Sequence, residues 1–110
     1  MTNRTLVQKQ IRNMARRIVR QFHPEKVILF GSHARRAASP DSDVDLLVVM
    51  PVAGSKADKE IEIGVALWDF NLPLDVIVTT PQEFEWRKRI PGTIERPAWR
   101  EGKVLYEKAG

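Results

Sequence analysis

A chain of 110 residues fits one compact domain with a modest core, and no break in composition marks a second, so a single domain over residues 1–110 is expected. The absence of cysteine excludes a disulfide framework and thiolate-bound zinc. A net charge of +4 favours anionic partners such as nucleotides, RNA or an acidic protein surface. Met1-Thr2-Asn3-Arg4 leads into a charged segment without a long apolar run, so neither a signal peptide nor a membrane span is expected, and a cytoplasmic location is.

Leu6/Val7, Ile11, Met14, Ile18 and Phe22 recur at helical spacing and predict an amphipathic first helix ending near His23-Pro24. Arg12, Arg16 and Arg20 form a basic stripe on it, with Arg17 nearby; this is a solvated face or a docking surface for RNA or protein. Val27 to Phe30 reads as a buried first strand stopped by Gly31. Ser32 then caps a short helix through about Arg36, and residues 38–42 have turn composition.

A second strand is expected from about Val44 to Met50, ended by Pro51 and the Gly54-Ser55 loop. From about Lys56 to Phe70 the pattern is helical, with Ile61, Val65 and Trp68 on one stripe and Ile63, Ala66, Leu67 and Phe70 beside it. Leu74 to Thr79 supplies a third strand. Thr80-Pro81-Gln82-Glu83 is a capping box with proline at the first helical position, opening a helix to about Ile90. A helical turn near Arg96 to Arg100 and a terminal strand at Lys103 to Tyr106 follow. His23 reads as a helix-end residue and His33 as a surface residue. Trp68, Trp86 and Trp99 read as core or interface anchors.

Asp43 and Asp45 are one residue apart, so on an extended strand they share a face roughly 6.5–7 Å apart. For Gly31-Ser32, at the exit of the first strand, to meet these carboxylates at the entry of the second, the two strands must be antiparallel. Asp75 enters the third strand through a helix of crossover length, which places that strand parallel to the second. The expected architecture is therefore α/β (α+β), a small mixed sheet with flanking helices, in which Asp43, Asp45 and Asp75 converge. Magnesium takes hard oxygen ligands and binds through one or two carboxylates together with substrate phosphates. Two such ions can activate an attacking oxygen and stabilise leaving pyrophosphate. Gly31 leaves room for a phosphate, Ser32 offers a hydroxyl, and the helix start behind it offers N–H donors. Arg35 is either a phosphate ligand or a surface salt bridge. Neither a P-loop nor a GxGxxG pattern occurs, which argues against an ordinary ATPase and a Rossmann dehydrogenase.

Gly31-Ser32, Ser42-Asp43-Val44-Asp45-Leu46 and Asp75 together resemble the signature of the DNA polymerase β-like nucleotidyltransferase superfamily. The short length and Arg100-Glu101-Gly102-Lys103-Val104-Leu105-Tyr106-Glu107 resemble its minimal nucleotidyltransferase (MNT) family. The resemblance implies that Asp43 and Asp45 hold two magnesium ions, that Asp75 completes the catalytic metal site, and that Gly31 and Ser32 hold the triphosphate of ATP. It implies AMP transfer to an acceptor hydroxyl, and the antitoxin half of a HEPN–MNT toxin–antitoxin pair in which a tyrosine of the HEPN RNase toxin is modified within a hetero-oligomer. The family has glycine where this chain has Arg36. If that position needs a positive φ or close approach of the nucleotide, arginine is strained or obstructive there; the remaining alternative brings Arg36 onto phosphate. Two rival readings stand beside the enzyme: a binding module that neutralises a partner by occlusion, and a catalytic subunit for a small-molecule acceptor.

Overall fold

The computed structural model describes residues 3–39 and 41–109; Pro40 of the expected 38–42 turn lies outside them, as do Met1, Thr2 and Gly110. Four strands form one sheet in the order β3-β2-β1-β4. β1 (Lys26–Phe30) runs antiparallel to β2 (Val44–Val49), β2 runs parallel to β3 (Leu74–Thr79), and β4 (Lys103–Glu107) pairs antiparallel with the other side of β1. Both strand orientations expected from the sequence are present.

The helices lie on both faces. α1 (Asn3–Phe22) and α2 (Lys56–Ala66) share a core with the first face, where Ile11, Met14 and Ile18 meet Val27, Leu29, Leu46, Val48, Ile63 and Leu67. Ile28, Leu47 and Val49 point the other way and pack with Phe84 of α3 (Pro81–Arg87) and Ala98 of α4 (Glu95–Glu101). A sheet covered on both sides needs apolar residues on both, which is why β1 and β2 read as continuous runs rather than alternating ones. Among the described residues, no helix is long and apolar enough to cross a membrane.

The helix starts follow the local chemistry. Ser55 accepts from the Asp58 N–H at 3.2 Å to open α2, and Thr80 accepts from the Glu83 N–H at 3.2 Å to open α3, with Pro81 at its first position. The ends deviate more from expectation. α2 stops at Ala66, a separate 3-10 turn covers Trp68–Phe70, and Asn71 closes it in the left-handed region at φ 56°. Arg17 donates to the Ala66 carbonyl at 3.0 Å, pairs with Asp69 and lies over the Phe70 ring, so it fixes this end of α2 rather than joining the basic stripe. α3 ends at Arg87, three residues short of the expected Ile90.

The structure resolves what the apolar pattern left open. On α2 the stripe turned inward is Ile63 and Leu67, while Ile61, Val65 and Trp68 are exposed. Periodicity shows that two stripes exist and cannot say which meets the sheet. Of the core and interface alternatives for the tryptophans, exposure of Trp68, Trp86 and Trp99 removes the core one.

Candidate active site

The ends of three strands meet at one edge of the sheet. Phe30 is opposite Asp45 in the β1–β2 register, and Asp45 is opposite Asp75 in the β2–β3 register. Side chains of directly paired residues point to the same face. Asp45 and Asp75 therefore project on the face that carries Leu47, Val49 and Ile77, and Asp43, two residues upstream of Asp45, has the same parity. Asp43 lies just before the first residue of β2. Asp45 is half-buried, and Asp43 and Asp75 are exposed.

Gly31 follows β1 with φ 74°, a conformation that a side chain strains. A Cβ built on it would overlap the Asp45 carboxylate and sit 3.2 Å from Asp45 Cγ. Glycine here does two jobs: it turns the chain out of β1 and leaves the space that the Asp45 carboxylate fills.

The expected short helix over residues 32–36 is instead one closed turn. The Gly31 carbonyl accepts from the N–H groups of Ala34 at 3.1 Å and Arg35 at 3.2 Å, and the Ser32 carbonyl accepts from the Ala37 N–H at 2.9 Å. That last bond spans five residues and passes over Arg36, whose φ is 58°. This is the Schellman closure, with Arg36 at the left-handed position where glycine is commonest. Of the accounts of this position, the structure bears on the backbone one directly: the φ here is positive, and arginine adopts it. Among the described residues, the N–H groups of Ser32 and His33 donate to no backbone carbonyl outside helices and strands, which leaves two donors beside the Ser32 hydroxyl.

His33 is a residue whose role the sequence did not disclose. It is buried, against the expectation of a surface position, and its Nε2 lies 3.0 Å from the Ser42 carbonyl. It ties the Gly31 turn to the residue before Asp43. Ser42 is held from its own side as well, since its N–H donates to the Ser39 carbonyl at 3.0 Å and its hydroxyl accepts from the Ser39 N–H at 3.0 Å. The Val44 N–H donates to the Pro73 carbonyl at 2.8 Å, which fastens the entries of β2 and β3 together. No signal for the His33 contact exists in a single sequence, because it depends on the loop after residue 36 folding back.

The electrostatics report the same convergence. Burial, then the Asp75 charge, then the Asp43 charge push the Asp45 carboxyl above its ordinary value, while His33 and Arg35 act in the opposite direction. Arg35 is exposed, and its charge reaches Asp45. An all-oxygen donor set of this kind suits magnesium rather than a softer metal. Among the described residues, no three or more His, Cys, Asp or Glu side chains are grouped so as to hold a metal ion by themselves. Magnesium does not require such a group, because substrate phosphates and water fill the remainder of its shell.

Residues 11–98 match the family model described as nucleotidyltransferase domain. A Methanocaldococcus jannaschii protein named as a candidate protein adenylyltransferase is 34% identical over 83 residues, which cover 74% of this chain and 78% of that protein. The crystal structure of a candidate nucleotidyltransferase from Sulfolobus solfataricus is similar with a TM-score of 0.64 at 18% identity, over 96% of this chain and 84% of that one. A crystal structure of a toxin–antitoxin with AMP-PNP is similar with a TM-score of 0.57 at 18% identity, over 88% of this chain and 73% of that one. At these identities the two structures speak to the fold.

Proposed function

The chain belongs to the nucleotidyltransferase domain family, an enzyme family with this mixed α/β fold, and from that membership we propose that it moves AMP from ATP onto a hydroxyl of a partner protein with magnesium bound at Asp43, Asp45 and Asp75. The observation that carries this reading is the placement of Asp45 between Gly31 and Asp75, with Asp43 on the same face.

Asp43 and Asp45 hold the metal, and Asp75 completes the site from the neighbouring strand. Bound magnesium supplies positive charge to the triphosphate and to the departing pyrophosphate. Gly31, the Ser32 hydroxyl and the N–H groups of Ser32 and His33 bind the phosphate chain, and Arg35 adds a cation beside it. Asp75 accepts the proton of the attacking hydroxyl as its oxygen bonds to the α-phosphorus in line with the leaving pyrophosphate. His33 keeps the phosphate turn and the Asp43 segment in register, which positions both without touching either substrate.

The acceptor is a protein in this reading because the M. jannaschii relative is named for protein adenylylation. The similarity to a toxin–antitoxin structure with AMP-PNP is consistent with an antitoxin acting on a toxin; that the acceptor is a tyrosine of a HEPN-type RNase toxin is carried by the resemblance to the MNT family alone. Asp43→Asn combined with Asp45→Asn tests the assignment. With ATP labelled at the α-phosphate, the double variant keeps its circular dichroism spectrum and loses transfer; undiminished transfer would remove both residues from the mechanism.

A further inference from the structure

Away from the catalytic edge, α1 and the outer strand β4 enclose a groove of about 300 Å³ lined by Arg12, Arg16, Arg20, Val19, Leu105 and Tyr106. Its floor is shaped by a β-bulge. Val27 pairs with Tyr106 and Ile28 with Val104, so Leu105 is the extra residue, and both Leu105 and Tyr106 pack toward the α1 core. Bulges re-aim side chains in this way. The three arginines stand one turn apart, at about 6 Å intervals along the helix. Among the described residues, none of them takes part in an ion pair, although six ion pairs occur elsewhere. A cationic rim around an apolar floor calls for an acidic helix face with a bulky apolar side chain on it.

This chain carries such a face. Ile61, Val65 and Trp68 are 65%, 63% and 79% exposed on α2 and the turn after it, and the exposed carboxylates of Asp58, Glu62 and Asp69 flank them. Asp58 has no ion pair among the described residues, while Glu62 and Asp69 are shared with Lys59 and Arg17. No residue of this face lines the groove, and Arg17 fixes α1 to the end of α2, so within one molecule the face does not fill it. We propose that the groove receives the Ile61–Val65–Trp68 face of a second copy, so that copies associate head to tail. Apolar contact supplies the attraction and the arginine–carboxylate pairing sets orientation. The inference does not depend on the catalytic reading.

Sedimentation velocity at low salt tests it. Wild-type protein at roughly 100 µM, where weak interfaces become populated, sediments with a mean mass above the 12.6 kDa of one chain. That mass rises with concentration and falls as salt is added. Trp68→Asp removes the helix face, and Arg12→Glu with Arg16→Glu and Arg20→Glu removes the groove; each variant alone stays at one chain. Mixed together, the two variants form a two-chain species, because one still offers its groove and the other its helix. A wild type that remains at one chain mass, variants that self-associate unchanged, or a mixture that does not combine would each overturn the proposal. If the wild type stays a single chain while its arginine face binds a single-stranded RNA probe, the groove belongs to that ligand instead.

Discussion

The Asp45 carboxylate occupies the space where a side chain on Gly31 would have to go. The turn proposed to bind phosphate and the strand proposed to hold the metal are thereby fitted to each other. Gly31→Ala must move the carboxylate and hold alanine at φ 74°, which costs about 1–2 kcal/mol of stability. The larger effect falls on transfer, which drops about 100-fold, the usual consequence of a displacement on the order of 1 Å at a reacting centre. Thermal unfolding and a labelled-ATP assay separate the two effects.

Arg36 holds the left-handed closing position of the Gly31 turn. Arg36→Gly relieves that backbone conformation and raises unfolding free energy by about 1 kcal/mol, whereas Arg36→Ala gives no such gain. If the guanidinium also contacts phosphate, calorimetric titration with ATP and magnesium shows weaker binding by the glycine variant. Unaltered affinity would leave Arg36 with a backbone role alone.

The raised pKa of Asp45 gives a pH dependence with a definite sign. The metal-free folded chain holds the Asp45 proton more tightly than the unfolded chain does. That contribution to stability is whole below the ordinary value of 3.8 and is lost as pH rises through the folded value. At pH 7 the ionised carboxylate, crowded by Asp75 and Asp43, opposes folding. Asp45→Asn therefore raises the melting temperature of the metal-free protein at pH 7 by a few degrees, with a smaller gain at pH 4. Magnesium with a non-hydrolysable ATP analogue stabilises the wild type and leaves the variant nearly unchanged.

Much of this site is legible in the sequence because its parts obey short-range rules. The one-residue spacing of Asp43 and Asp45 fixes their common face, and the length between β2 and β3 permits a parallel crossover that brings Asp75 alongside. Arg36 in a glycine position gives warning of a left-handed turn. What stays hidden depends on contacts between distant segments. His33 is buried because the loop after residue 36 folds back onto it, and no pattern within the loop announces that. The bulge at Leu105 is a register event between two strands. On α2, the Ile61–Val65–Trp68 and Ile63–Leu67 stripes are both plausible core faces by periodicity. Packing against the sheet selects the second and leaves three large apolar side chains outside.

Intact-mass spectrometry of the proposed partner, a toxin-type protein that binds this chain, tests the central claim most directly. Incubated with wild-type protein, ATP and magnesium, the partner gains one or more AMP groups; incubated with the Asp43→Asn, Asp45→Asn variant, it is bound and gains none. A partner silenced by the wild type without nucleotide and without any change in mass would contradict nucleotidyl transfer to it and assign the chain's effect to occlusion.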